Sequence, residues 1–361
     1  MVVVGDTGSM AESFTDLGGW PAVLGLLTAG QDLTMEQAGA AMGEILDGAA
    51  SPAQISGFIV ALRMKGETVP ELSGLLRAMF GAAERVQLDH SRPVIDIVGT
   101  GGDRHHSINV STLAALVVSG AGGVVCKHGN RAASSSCGSA DLLEALGVVI
   151  DLGPEGVARC VDEAGIGFCF APRFHASMRH AGPVRRELGV PTAFNFLGPL
   201  ANPAGARRYV VGVSDPSMAE RMAHVLADNG AERAWIVRGG DGLDEITTTT
   251  TSNVVELRNG AVRLLTVTPD DFGIGPARLG DLRGGDPATN AALARRVLSG
   301  EHGHHRDIVV LNAAAGLVVG GLADDVGAGI AAARTSIDQG RASSALDQLV
   351  AASVAARADG L

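Results

Sequence analysis

The sequence predicts an α/β protein in two parts: a small all-helical domain and a large α/β domain with a mostly parallel central sheet flanked by helices. Three observations carry this expectation. The chain has 361 residues, enough for two domains at roughly 100–200 residues each. Up to about residue 90 the apolar side chains recur at helical spacing. From Val94 onward short β-branched runs alternate with helical stretches, as in βαβ units.

The helical part is read from its start signals. Thr34 and Gln37 have the spacing of a capping box, and Ala38, Ala41, Met42, Ile45 and Leu46 follow as one apolar stripe. Ser51-Pro52 opens a second helix with Ile55, Phe58, Ile59 and Leu62 on one face. Pro70 opens a third with Leu72, Leu75, Leu76, Met79, Phe80 and Ala83. Met64 and Met79 read as core packing.

In the α/β part the expected strands are Val94–Val98, Val124–Cys126, Val148–Ile150, Gly167–Phe170, Tyr209–Val213 and Ala234–Val237. Ligands of such sheets bind beyond the carboxyl ends of the strands, so the loops there are where chemistry is sought. The tail from about Asp307 returns to Ala-rich helices, and Thr247–Thr251 reads as an exposed β segment.

Composition narrows the function. Glycine numbers 50 residues, roughly twice the usual ~7%, without a collagen period, which places it in tight turns and close backbone approaches. The chain carries 28 basic and 39 acidic residues, a formal net charge of −11. With no basic stripe, generic nucleic-acid binding is disfavoured. Compact anions stay open, because a nest of backbone amides holds a phosphate on an acidic protein. Cys126, Cys137, Cys160 and Cys169 show no CxxC or metal spacing and read as reduced buried thiols. Val2–Val4 is too short for a signal-peptide core, and no apolar run is long and unbroken enough to span a bilayer. The expectation is a cytoplasmic protein without a membrane partner.

Two segments carry chemistry. In Asp96-Ile97-Val98-Gly99-Thr100-Gly101-Gly102-Asp103 a buried strand runs into three glycines, and a helix begins near Asn109. Bare backbone and a helix N-terminus together suit a phosphate, though an ordinary strand-to-helix turn would look similar. The spacing is not that of a nucleotide-triphosphate P-loop. The next strand delivers Lys127-His128-Gly129-Asn130-Arg131-Ala132-Ala133-Ser134-Ser135, cations around a glycine followed by small hydroxyls. Gly138-Ser139-Ala140-Asp141 then opens another helix.

These motifs together resemble the anthranilate phosphoribosyltransferase family, of the nucleoside phosphorylase-like phosphoribosyltransferase fold. Further matches follow in order: Phe174-His175, Val184-Arg185-Arg186, the run from Thr192 to Pro203, and Gly242-Leu243-Asp244-Glu245. The resemblance covers the chain from roughly residue 17 to about 350. Pyrimidine nucleoside phosphorylases share the architecture but carry a serine after their Lys-His, where this chain has Gly129-Asn130.

The resemblance implies a helical domain over residues 1–90, completed by helices from about 173–205, an α/β donor-binding domain over 91–361, and a homodimer. It implies transfer of the phosphoribosyl group of 5-phosphoribosyl 1-pyrophosphate to the amine of anthranilate, with Mg²⁺. Carried over by position, Gly99, Gly102, Asp103, Ser107, Asn109, Val110, Ser111, Thr112, the run Lys127, His128, Gly129, Asn130, Arg131, Ala132, Ala133, Ser134, Ser135, and Ser139 contact the donor. Gly99, Asn130, His175 and Arg185 contact anthranilate, and Ser111, Asp244 and Glu245 are the Mg²⁺ positions. Aromatic amines are neutral at pH 7, so no strong general base is required and His175 is assigned only an orienting role. The competing readings are a related transferase with another aromatic acceptor, and a non-catalytic nucleic-acid-binding relative.

The chain departs from the family pattern at Arg104-His105-His106, Cys137, Ala176 and Arg238-Gly239-Gly240, none of which removes a phosphate or metal position. His302-Gly303-His304-His305 lacks Cys or carboxylate support and reads as a solvated loop.

Overall fold

The computed structural model describes residues 13–89, 91–132 and 135–361. They form two compact units, one of residues 13–82 with Ser177–Ala193, the other of Ala83–Ala176 with Phe194–Leu361.

The first unit is helical, with Gly19–Thr28, Met35–Leu46, Pro52–Lys65, Val69–Ala82 and the short Gly182–Leu188. Thr34 closes the expected capping box: its hydroxyl accepts the Gln37 N–H at 3.2 Å, and the Gln37 side chain accepts the Thr34 N–H at 3.0 Å. Ser51 and Gln54 form a second box at 3.3 and 2.8 Å. Helices Met35–Leu46 and Val69–Ala82 touch backbone to backbone, since a Cβ on Gly74 would lie 2.1 Å from the Met35 carbonyl. Buried Glu71 accepts from the Leu33 and Thr68 N–H groups and from Lys65 Nζ. Met64 departs from the core expectation, being 83% exposed. The stripe Ile55, Phe58, Ile59, Leu62 is buried, and a residue two beyond Leu62 faces away from it.

The second unit is built on seven strands: β1 Val94–Gly99, β2 Val124–Gly129, β3 Ile166–Phe170, β4 Arg208–Gly212, β5 Arg233–Gly239, β6 Ser252–Arg258 and β7 Ala261–Val267. Their spatial order is β3-β2-β1-β4-β5-β6-β7. The first five pair in parallel and β5-β6-β7 pair antiparallel. The chain leaves β1 toward β2 and β3, then returns on the other side with β4, which makes the carboxyl end of β1 a topological switch point. Helix His304–Gly320 lies so close to β1 that a Cβ on Gly316 would meet Ile97 Cδ1 at 2.7 Å.

Three further expectations need correction. Val148–Ile150 forms no strand: the Val148 N–H closes the preceding helix on Leu143 O, and the Val149 N–H goes to Ser353 Oγ at 3.1 Å. Thr247 and Thr248 are buried rather than exposed, and Thr247 Oγ1 donates to Asp241. His304 and His305 begin a helix instead of continuing a loop. The hairpin β6–β7 lies outside the expected strands, although its Asn259-Gly260 turn, with both residues at positive φ (51° and 80°), is a strong hairpin signal.

All four cysteines are buried free thiols. No helix among the described residues is long and apolar enough to cross a membrane.

Candidate active site

The carboxyl ends of β1, β2, β4 and β5 deliver four loops to one place. The first is Gly99–Asp103. Its Thr100 N–H donates to Gly212 O at 2.9 Å, and Thr100 Oγ1 accepts the Ser214 N–H at 3.2 Å, so the loop is tied to the end of β4. Gly101 and Gly102 have φ of 67° and 88°, which only glycine adopts without strain.

Asp244-Glu245, some 140 residues away in sequence, lies against this loop. Asp244 Oδ2 accepts the Gly101 N–H at 2.7 Å. A Cβ on Gly99 would sit 2.7 Å from that oxygen, and one on Gly212 would sit 1.6 Å from the Asp244 carbonyl. Two bare strand ends therefore admit the acidic pair. Asn312, on helix His304–Gly320, holds it from behind by accepting the Ile246 N–H (2.9 Å) and donating to Ile246 O (2.8 Å). Glu245 Oε1 accepts the Ser111 N–H at 3.1 Å, at the start of helix Val110–Gly120.

The electrostatics are those of a site built for charge. Burial, with the Asp103 charge beside it, pushes the Asp244 carboxyl up to about 7. Burial and then Asp244 push Glu245 well above the ordinary carboxylate range. The buried Lys127 ammonium donates to Ile97 O and to Ser111 Oγ (3.3 Å), and burial lowers its pKa. Two carboxylates crowded in this way suit a divalent cation. Among the described residues no three His, Cys, Asp or Glu side chains form a metal cage. Magnesium takes one or two carboxylates and fills its shell with water and substrate phosphate.

The β2 loop is gripped by the helix that follows it, Ser139–Leu146. Asp141 Oδ2 accepts the Ala132 and Gly138 N–H groups, both at 2.9 Å. Arg131 pairs with Asp141 at 3.0 Å and with Glu144, and lies over the Phe170 ring. Its guanidinium is thus engaged by the helix Ser139–Leu146 and the end of β3. Gly129 packs where a Cβ would meet Ser139 Oγ at 2.2 Å, and Ser139 Oγ donates to Asn130 O. Asn130 and Ser135 are exposed. Ala133 and Ser134 lie outside the described residues.

Other predicted positions behave differently. Asn109 donates to Cys137 O and accepts from Asn290 Nδ2, both at 2.9 Å, so its side chain braces the two loops. Val110 and Thr112 are buried, and their N–H groups already bond to Ile108 O and Asn109 O. Ser107 pairs with Arg283 in an isolated bridge. Asp103 Oδ1 accepts the His105 N–H at 3.2 Å.

His128 and His175 are both buried, with ring centroids 5.2 Å apart. Burial, and then His175, pushes His128 down to about 3, and burial lowers His175. Both imidazoles are neutral at pH 7. His175 Nε2 donates to Ala201 O at 2.9 Å, whereas His128 Nε2 is buried without a partner among the described residues. Arg185 belongs to the helical unit, on Gly182–Leu188, and burial disfavours its charge. Two departures from the family pattern meet at Gly242: a Cβ there would stand 3.3 Å from His105 Nε2 and 3.8 Å from Arg238 Nη2.

Three residues that organise the site carried no assigned role in the sequence: Asn312, Asp96, which heads the glycine-loop strand, and Asn202, within the run from Thr192 to Pro203. Each is a buried polar side chain inside an apolar run, which is itself a signal. Burial pushes Asp96 up to about 6.

A parallel sheet with glycine loops, a helix N-terminus, a buried lysine and paired carboxylates at its switch point defines a group-transfer enzyme acting on a phosphorylated donor. A model described as the glycosyl transferase family a/b domain matches residues 91–343, and one for the helical bundle domain of that family matches 21–83. Anthranilate phosphoribosyltransferase of Salinispora arenicola is 54% identical over 345 residues, 94% of this chain and 98% of that protein. The enzyme of the same name from Chloroflexus aurantiacus is 52% identical over 91% of this chain and 96% of its own. Among solved structures, anthranilate phosphoribosyltransferase of Thermus thermophilus aligns with TM-score 0.86 at 44% identity, covering 92% of this chain and 99% of that one. The Saccharomyces cerevisiae enzyme, in complex with PRPP and Mg, aligns with TM-score 0.84 at 27% identity, over 93% and 98%. The chain belongs to the anthranilate phosphoribosyltransferase family.

Proposed function

We infer that the protein transfers the phosphoribosyl group of 5-phosphoribosyl 1-pyrophosphate to the amine of anthranilate, giving N-(5-phosphoribosyl)anthranilate and pyrophosphate in tryptophan biosynthesis. The observation that carries this is the acidic pair Asp244-Glu245 seated on the Gly99–Asp103 loop, beside Ser111 and Lys127. Breaking the C1–pyrophosphate bond builds negative charge on the leaving group, and fixed charges aimed there lower the barrier.

Bound Mg²⁺ supplies neutralisation of the pyrophosphate charge. We assign Asp244, Glu245 and Ser111 to hold it, since hard oxygen donors suit that ion. We assign the backbone of Gly99 and Gly102 and the Lys127–Ser135 loop, with Ser139, to the donor. Lys127 presents its ammonium from a buried position, where it orients without swinging into solvent. For the acceptor we assign Asn130, His175, Arg185 and the Gly99 backbone. Burial keeps His175 neutral, so it can orient anthranilate without placing a positive charge beside the developing oxocarbenium ion. Arg185 supplies the cation that matches its carboxylate.

We further propose a cytoplasmic homodimer, with residues 1–90 and the 173–205 region as a helical domain and 91–361 as the donor domain, and with no nucleic-acid or membrane partner. The test is loss of anthranilate fluorescence with phosphoribosyl pyrophosphate and Mg²⁺, against an EDTA control. Metal-dependent consumption with one pyrophosphate released per anthranilate is expected. Donor binding without anthranilate consumption would redirect the assignment to another aromatic acceptor.

A further inference from the structure

The parallel ladders on either side of β1 and β2 run to the carboxyl ends of the strands. β1 pairs with β4 through Gly99↔Gly212, and β2 pairs with β3 through Gly129↔Phe170. Between β1 and β2 themselves only Val94↔Val124 and Ile95↔Val125 are in register, although both strands run four residues further. The strands part where the two phosphate loops begin. Parting leaves backbone groups inside the protein that the ladder would otherwise satisfy, and such groups are costly when unpaired.

Side chains take them up. Asp96 Oδ1 accepts the His128 N–H at 3.1 Å. Asn202 Nδ2 donates both to Asp96 Oδ2 and to Cys126 O, each at 2.8 Å, while its own Oδ1 accepts the Ala204 N–H at 2.8 Å. Lys127 Nζ caps Ile97 O on the facing strand. Asp96 and Asn202 are both fully buried.

We propose that Asp96 and Asn202 form a positioning pair that holds β1 and β2 apart at their carboxyl ends and thereby sets the spacing between the Gly99–Asp103 loop and the segment Lys127–Ala132 for the donor. Neither residue is assigned to touch substrate. The pair acts through the His128 N–H, which fixes where Lys127 and Gly129 emerge. This rests on the functional reading above, in which both loops serve the donor.

The test uses Asp96→Asn and Asn202→Ala in the full chain. Asp96→Asn sets an amide N–H against the Asn202 amide and removes the negative charge near Lys127. Asn202→Ala removes the bridge to Cys126 O and leaves Asp96 in place. Donor affinity is read by calorimetric titration of phosphoribosyl pyrophosphate with Mg²⁺, and the anthranilate KM by turnover. The expected result is a donor affinity weakened about tenfold or more, a change of ~1.4 kcal/mol, with the anthranilate KM within about twofold of wild type. Folded variants with native donor affinity, or equal rises in both constants, would overturn the proposal, as would failure of both variants to fold. Wild type that binds donor but consumes no anthranilate overturns only the acceptor reading, because the donor comparison still stands. Wild type that binds no donor overturns both.

Discussion

Replacing Asp244 by Asn should stabilise the protein in the absence of donor and metal while destroying its activity. The Asp244 carboxyl titrates at about 7 in the folded chain, against an ordinary 3.8, chiefly because it is buried. At 1.36 kcal/mol per tenfold change, the folded state holds that proton more tightly by about 4 kcal/mol. Between those two values the folded state binds more protons than the unfolded one, so this group makes stability fall as pH rises. The loss it causes between pH 5 and pH 8 is about 3 kcal/mol. An amide keeps the bond to the Gly101 N–H through its oxygen, yet carries no charge to desolvate. Asp244→Asn should therefore exceed wild type by about 1–2 kcal/mol at pH 5 and about 4 kcal/mol at pH 8. Relief of Asp103 and Glu245, which Asp244 repels, acts in the same direction. Urea unfolding followed by Trp235 fluorescence in a Trp20→Phe background reports on the α/β unit. A variant no more stable than wild type at pH 8, or a difference flat from pH 5 to 8, would refute the claim that function maintains a desolvated charge here.

Further outcomes follow from the same geometry. Asp244→Ala combined with Glu245→Ala should cut turnover in magnesium buffer by at least about a hundredfold with the fold intact by circular dichroism, since electrostatic groups of this kind contribute on the order of 10²–10³; normal turnover would remove the metal assignment. Arg185→Ala should raise the anthranilate KM by about tenfold or more while the donor KM stays near wild type, as loss of a charge-assisted hydrogen bond costs ~1.5–3 kcal/mol; steady-state kinetics with each substrate varied decides it. Gly212→Ala should destabilise the protein by about 1–3 kcal/mol and weaken metal-dependent donor binding, because the new Cβ falls on the Asp244 carbonyl. Melting curves and donor titration check both effects, and a stable, fully active Gly212→Ala protein would contradict the close approach.

Local signals were legible in the sequence because they act within a few residues. The box at Thr34 and the helix start at Ser51-Pro52 are fixed by side chains three positions away. The Gly99–Asp103 loop is legible because positive φ at Gly101 and Gly102 requires glycine. Strand signals inside βαβ alternation placed β1 to β5 for the same reason. The acidic pair needed more: by itself Asp244-Glu245 reads as a solvated loop, and only resemblance to a family singled it out.

The sequence by itself determined the fold class, the order of helices and parallel strands, and the loops that carry the chemistry, since periodicity, caps and glycine positions are properties of neighbouring residues. The tertiary structure alone decided what each group faces. Val149 bonds to Ser353 instead of a strand, Met64 points outward beyond its stripe, and Thr247 is buried against Asp241. It also brings Asp244 against Gly99 and Gly212, and sets Asp96 and Asn202 between strands that part. Burial and pairing are made by residues far apart in the chain, and it is burial that turns an ordinary carboxylate into one that titrates near neutrality.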